Sequence, residues 1–256
     1  MGKACSALAA AGAPAASDAA HGGTWGLARV LRLEHAALCA QSTDLVRGKR
    51  LPVACAVMVP MDEAETMWIC GTRRAVRLRV CACAASLAQG VVLLHTGAYA
   101  ITGGLGGLGL RAALSLVDGG ALRVLVVSRG GRVSRDGQGL AALVSALGTT
   151  ARLAAADAGC AANANAAVAA VPLAGVLHAA GAGDKGLLAE LEKLRLRWMQ
   201  GAKARGAWSL HCATAATPLG ARILFSSVGS GLGNVGQSSY AAANACLDAH
   251  ASSRRA

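Results

Sequence analysis

The sequence predicts an α/β fold built around a parallel sheet, and three observations carry that expectation. From Gly97 onward, short apolar runs alternate with stretches of helical period, at the spacing of successive βαβ units. The runs are unbroken rather than alternately apolar and polar, as strands covered on both faces require. A glycine-rich turn, "TGGLGGLG" (102–109), stands between the first of these runs and the helix that follows it.

The elements preceding Gly97 are less regular. Residues 1–22 read as a leader. The start "MGKACS" matches the acylation pattern at Gly2 with Ser6, and Cys5 is available to a second acyl chain. The Ala- and Ser-rich stretch to Ala20 fits a plastid-type transit peptide or a disordered leader equally well, and these readings stay open. "TWGLARVLRLEHAALC" (24–39) spaces Leu27, Val30, Leu31 and Leu38 as a helix would. "LPVACAVMV" (51–59) reads as a strand. "MWICGTRRAVRLRV" (67–80) reads as two strand-like pieces around Gly71-Thr72, with Val76, Leu78 and Val80 alternating against Arg77 and Arg79.

After Gly97 the pattern is regular. "AYAIT" (98–102) is a strand, followed by a turn and a helix to Val117. "LRVLVVS" (122–128) is the second strand and "GLAALVSALG" (139–148) the second helix. "ARLAAAD" (151–157), "LAGVLHAAG" (173–181) and "ARILFSS" (221–227) are further strands, with helical segments between them.

Composition narrows the function. Apolar residues are 54 % and aromatics 3 %, so the core is built from Ala, Val and Leu. The formal charge of +12 is scattered and lacks interleaved aromatics, which disfavours nucleic acid and leaves an acidic protein or a phosphate-bearing ligand. Nine cysteines show no paired metal-ligand spacing, since Cys81 and Cys83 are separated by one residue, so they read as free thiols and no metal is expected. The uncharged stretch from Val80 to Leu110 contains Gln89 and His95 and ends in glycines, which suits a buried strand and turn rather than a membrane span. A cytoplasmic location is expected.

In the turn, Gly104, Gly106 and Gly109 form G-x-G-x-x-G. Together with Thr102, Gly103, Leu105, Gly107 and Leu108, they make a stretch where backbone can approach a pyrophosphate at a helix N-terminus. The second strand ends in Ser128 and Arg129, without the carboxylate that would bind the ribose hydroxyls of NAD. This suits the 2′-phosphate of NADP. Asp157, with Ala158 after it, ends the third strand, where a carboxylate accepts from an adenine amino group. Small residues follow His178 at the end of the fourth: Ala179, Ala180 and Gly181. All four features fall at strand carboxyl ends, where ligands of parallel sheets bind.

A second group lies in "SSVGSGLGNVGQSSYAAANA" (226–245). Ser227, ending a predicted strand, precedes Tyr240 by thirteen residues, and Asn244 follows Tyr240 by four, on the same helix face. Reducing a ketone needs a proton donor at the developing alkoxide and a group that holds the carbonyl oxygen. A phenol, with a pKa near ~10, needs a neighbouring ammonium to serve. No lysine stands at position 244. Lys203, in "GAKARGAWSLH" (201–211), is one source, and Lys193 and Lys185 compete.

These stretches resemble the ketoreductase domains of modular polyketide synthases and animal-type fatty acid synthases, within the short-chain dehydrogenase/reductase superfamily. The resemblance runs from about Gly26 to Arg255 through "GLARVLRLEH", "AYAITGGLGGLG", "VVSRGG", "LHAAG", "KARGAWSLH" and "LFSSVGSGLGNVGQSSYAAANACLDAHASSRRA". It implies a Rossmann-like doubly wound sheet at 97–256, preceded at 23–96 by a smaller, truncated Rossmann-like structural subdomain. It implies reduction by NADPH of a β-ketoacyl thioester carried by an acyl carrier protein, beside other synthase domains. The family exchanges the tyrosine-proximal lysine for asparagine and supplies lysine from the preceding helix. The resemblance thus gives Tyr240 the proton, Ser227 the ketone, Lys203 the tuning of Tyr240 and the ribose, and Asn244 the closing of the tetrad. Three departures stand out. Gly183-Asp184-Lys185 replaces the Leu-Asp-Asp of B-type members, and Leu232 replaces the Trp of A-type members. The chain also stops at Ala256, where the family continues with a further strand, a nicotinamide-contacting loop and a lid. A non-catalytic scaffold that keeps the fold is the alternative reading.

Overall fold

A computed structural model describes residues 5–9, 14–45, 62–69, 72–77, 97–133, 137–183 and 185–253. The strand expected at 51–59 and the alternation at Leu78 and Val80 lie outside them. In chain order the elements are β1 (Cys5–Ala9), α1 (Pro14–Glu34), β2 (Gln41–Leu45), β3 (Glu65–Ile69), β4 (Thr72–Ala75), β5 (Ala98–Thr102), α2 (Gly107–Asp118), β6 (Val124–Ser128), α3 (Leu140–Leu147), β7 (Ala151–Ala155), α4 (Ala161–Ala169), β8 (Leu173–His178), α5 (Lys193–Gln200), α6 (Gly206–Ala213), β9 (Ala221–Leu224), α7 (Val228–Leu232) and α8 (Ser238–Ser253).

The described residues fall into two compact units. Those within Met1–Ala84, Asp184–Arg195 and Ser226–Ala256 form the first, and those within Ala85–Gly183 and Leu196–Phe225 the second. This division does not follow the chain-order boundary expected at 96/97. The segment with Ser227, Tyr240 and Asn244 belongs to the first unit, because α8 packs on α1. Nor is the stretch 1–22 without structure throughout: β1 and the first turns of α1 fall within it.

The second unit holds a five-stranded sheet in the order β7-β6-β5-β8-β9, every pairing parallel. Successive residues of β5 and β6 point to opposite faces. Tyr99, Ile101, Val124 and Val126 pack with Leu110 of α2 and Leu140 and Leu147 of α3. Ala100, Leu125 and Val127 pack on the other face beside Ala167 of α4, and Val176 of β8 packs with Leu210 of α6. Both faces are therefore covered, which is why these runs carry no polar alternation. At 25–30 cal/mol per Å², each fully buried Leu or Val contributes roughly 1.5–3 kcal/mol to this core.

The first unit has a four-stranded sheet in the order β1-β2-β3-β4, parallel but for the antiparallel β3–β4 pair, as the strand-like pieces around Gly71-Thr72 foretold. In the same unit α1 lies against α8 at backbone distance. A Cβ on Gly26 would sit 2.4 Å from the carbonyl oxygen of Ala241, and one on Gly22 would sit 2.5 Å from that of Ala245. The pair recurs at i, i+4, so one stripe of α1 lacks side chains where α8 approaches. Arg29 and Arg32, on the same helix, both bind the carboxylate of Glu65 in β3. Burial pulls Arg32 below its ordinary value, and Glu65 opposes that shift.

Candidate active site

The second unit carries a cleft of about 300 Å³ at the carboxyl ends of its strands. It is lined from β5 by Thr102, Gly103, Leu105 and Gly106, and from β6 by Ser128, Arg129, Gly130, Arg132 and Val133. Ala156, Asp157 and Ala158 follow β7, Ala179 to Gly181 follow β8, and Ala202 completes the lining. The sheet order reverses at β5–β8, the place where doubly wound sheets take their ligands.

The glycines of the turn divide the work. Gly103 has φ +68°, and a Cβ there would meet the Ala180 backbone at 2.5 Å. Gly104 seats the turn on β6, since its Cβ would fall 2.6 Å from Val126 Cγ1. Gly106 is the N-cap of α2 and lines the cleft. Gly109 lets the first turn of α2 close over Gly103, whose carbonyl oxygen a Cβ would approach to 2.4 Å. Gly104, Gly107, Leu108 and Gly109 do not line the cleft, and Leu108 is 65 % exposed. What the first turn of α2 offers a ligand is its backbone N–H groups, which have no intrahelical acceptors.

The lining is cationic on balance, with Arg129 and Arg132 against Asp157. The Arg129 guanidinium lies 5.9 Å from the centre of the Trp198 ring. Asp157 lies two residues past β7 rather than at its end. Its Oδ1 already accepts from Gly159 N–H at 2.9 Å, which leaves its second oxygen for other donors. A cleft with a glycine-rich turn, a helix N-terminus and two arginines fits a cofactor that carries phosphates.

Lys203 is 5 % exposed and sits in a single π-helical turn, Gly201–Arg205, between α5 and α6. Such turns cluster at functional positions. Its Nζ donates to the Phe225 carbonyl at 3.0 Å, and its side chain lies over Gly181, where a Cβ would meet Lys203 Cε at 2.9 Å. His178, fully buried, donates from Nε2 to the Lys203 carbonyl at 2.9 Å. In the neutral ring its Nδ1 then accepts from Thr102 Oγ1 at 2.7 Å. The sequence reading named His178 only as part of "HAAG". A histidine closing an otherwise apolar strand was the available signal. Arg132 and Val133 were also missed, because their loop carries no pattern, and Ala202, because an alanine beside Lys203 carries no signal of its own. Lys193 opens α5 in the first unit; Lys185 lies beside Gly186 there, and its carbonyl accepts from Arg195.

In the first unit, Ser227 does not end a strand: β9 stops at Leu224, and Ser227 is the N-cap of the short helix α7. Its Oγ accepts from Gly229 N–H at 3.2 Å, as capping serines do. Tyr240 lies in the first turn of α8, half-buried, with Asn244 one turn on. Asn244 is fully buried. Its Nδ2 donates to the Tyr240 carbonyl at 2.9 Å, while its Oδ1 makes no hydrogen bond with any described residue. A buried amide oxygen without a donor is costly and marks a place for a polar partner. Ser226 Oγ donates to the Asn244 carbonyl at 3.3 Å.

Among the described residues no cluster of His, Cys, Asp or Glu is suited to a metal, and no helix is long and apolar enough to cross a membrane. Residues 97–256 match the family model described as KR domain. The chain is 42 % identical to polyketide synthase GfsB of Streptomyces halstedii over 62 % of its own length, and 32 % identical to mellein synthase of Phaeosphaeria nodorum over 96 %. It superposes with TM-score 0.81 on A-type ketoreductases from a modular polyketide synthase, at 33 % identity over 93 % of this chain. The first ketoreductase of the tylosin synthase gives 0.76 at 34 % identity, also over 93 %. The chain spans 3 % and 15 % of the two synthases and about half (52 %) of each solved chain.

Proposed function

The chain belongs to the KR-domain family, the ketoreductase domains of polyketide synthases, and from that premise we propose that it reduces a β-ketoacyl thioester to the β-hydroxyacyl thioester. The observation that carries this reading is the arginine-bearing cleft at the strand ends, with buried Lys203 beside Gly181.

NADPH, when bound, supplies the hydride. The turn from Thr102 to Leu108 and the first amides of α2 receive its pyrophosphate, and Ser128 and Arg129 its 2′-phosphate. Asp157, Ala158 and the Ala179–Gly181 segment border the adenine and ribose. Lys203 holds the ribose hydroxyls, with its side chain already directed along Gly181. Ser227 orients the ketone oxygen through its hydroxyl, and Tyr240 donates the proton that this oxygen needs as it becomes an alkoxide. Asn244, with one amide atom committed to the Tyr240 carbonyl, fixes the first turn of α8 and keeps its oxygen for a water or a relay hydroxyl. The substrate is carried on the phosphopantetheine arm of an acyl carrier protein, whose acidic surface suits a chain of charge +12.

The test is NADPH oxidation at 340 nm by the purified chain with a small β-ketoacyl thioester, alongside a direct binding titration of NADPH. Thioester-dependent oxidation with formation of the hydroxyacyl product is expected. Tight NADPH binding without any oxidation would instead support a scaffold that keeps the fold.

A further inference from the structure

One carboxylate in the first unit joins three parts of the chain. Glu34, the last residue of α1, accepts from Gly236 N–H through Oε1 at 2.8 Å and from Leu188 N–H through Oε2 at 2.6 Å. The two segments it receives also bond each other, Gly186 N–H donating to the Gly236 carbonyl at 2.9 Å. Gly236 has φ +73° and stands two residues before α8 and four before Tyr240, and the Gln237 carbonyl after it accepts from Ala241 N–H at 2.8 Å. Two charge-assisted bonds to backbone N–H groups are the strong kind, and both oxygens of Glu34 are used.

We propose that Glu34 is a positioning residue for Tyr240: by clamping Gly236 to the 186–188 segment, it fixes the lead-in to α8 and hence the direction of the phenol. The inference rests on the reading that Tyr240 is the proton donor. Asn234 and Gln237 bond each other through their side chains at 2.9 Å and are exposed there, and the loop's glycines supply no side chains. A carboxylate at the end of α1 thus does for the Tyr240 loop what a cap does for a helix: it satisfies two part-buried backbone donors.

The experiment uses the full chain with Glu34→Ala and Glu34→Gln, and Tyr240→Phe in parallel. Glutamine keeps one acceptor and turns an N–H₂ toward the other donor, so an intermediate effect is expected. Glu34→Ala lowers kcat about 10- to 100-fold through misplacement of the donor, with NADPH affinity within about twofold of the parent. It also raises the solvent deuterium isotope effect on kcat, because proton transfer becomes slower relative to the other steps. Independently of turnover, amide hydrogen exchange rises at 186–190 and 234–240 while the middle of α1 stays protected. A general loss of fold would instead weaken NADPH binding and expose α1 as well. The proposal is overturned by unchanged exchange in both segments, or by a kcat loss matched by loss of folded protein. If Tyr240→Phe retains activity, the catalytic reading falls and the exchange result alone decides the clamp. If Tyr240→Phe is inactive and Glu34→Ala is not impaired, the clamp alone falls.

Discussion

In the second unit, every cleft residue but Ala202 lies at or just past the end of a strand: Thr102 to Gly106 from the end of β5, Ser128 to Val133 from the end of β6, Ala156 to Ala158 after β7, Ala179 to Gly181 after β8. In the first unit, the residues on either side of Tyr240 meet partners some two hundred residues away, Gly26 against Ala241 and Glu34 against Gly236. Local geometry builds the one and distant packing the other. The lesson is that most of a cleft can be specified by the residues that follow each strand, whereas the helix bearing Tyr240, the proposed proton donor, depends on a helix more than two hundred residues away in sequence.

The sharpest test of this contrast is Tyr240→Phe, which removes the proposed donor and no residue of the cleft lining. Reduction falls on the order of 10²–10⁴-fold in a steady-state assay while NADPH affinity by fluorescence titration stays near the parent value. Equal losses in both would merge the two units functionally. Next in size is Arg129→Ala. If Arg129 binds the 2′-phosphate as proposed, losing that charge-assisted bond costs about 1.5–3 kcal/mol, so NADPH affinity falls roughly 10- to 100-fold and NADH affinity hardly changes. A parallel loss for both coenzymes would remove Arg129 from phosphate selection.

Gly26→Leu acts on the other unit. A Cβ 2.4 Å from the Ala241 carbonyl forces α1 away from α8, at about 1–3 kcal/mol for an overpacked contact. Urea denaturation reads the loss, and NADPH affinity is the control that stays put. The smallest effect is chemical. Burial pushes the Cys246 thiol up, so at a given pH less of it is thiolate, and its alkylation curve moves to higher pH. Cys39, Cys160 and Cys212 are exposed and alkylate first. Peptide-resolved iodoacetamide labelling measures this, and Gly26→Leu narrows the gap if Cys246 reports on the α1–α8 contact.

The same contrast explains what was legible in the sequence. The strands from Ala98 to Leu224 and the glycine turn were readable because each is written in consecutive residues: an apolar run, a turn, a helical period. Ser227 was misread as a strand end because its serine serves as a helix cap, a role decided by the backbone that follows it. Glu34 and the glycine stripe of α1 were not legible. Gly22 and Gly26 lay in or beside a stretch taken for a leader, and their meaning depends on a helix that begins only at Ser238. His178 was legible as a residue but not as a support for Lys203, since that link joins the end of a strand to a π-helical turn twenty-five residues on.

The bare face that α1 presents to α8 has a consequence during synthesis. Gly26 leaves the ribosome 215 residues ahead of Ala241, an interval on the order of ten to forty seconds at ~5–20 residues per second. Throughout it, the helix has glycines where a partner belongs and no partner yet made. Closing so long a loop is entropically slow, though the added cost rises only as the logarithm of its length. Helix α1 therefore waits long for its partner to be made, and any surface that takes α8's place in that interval competes with the native pairing.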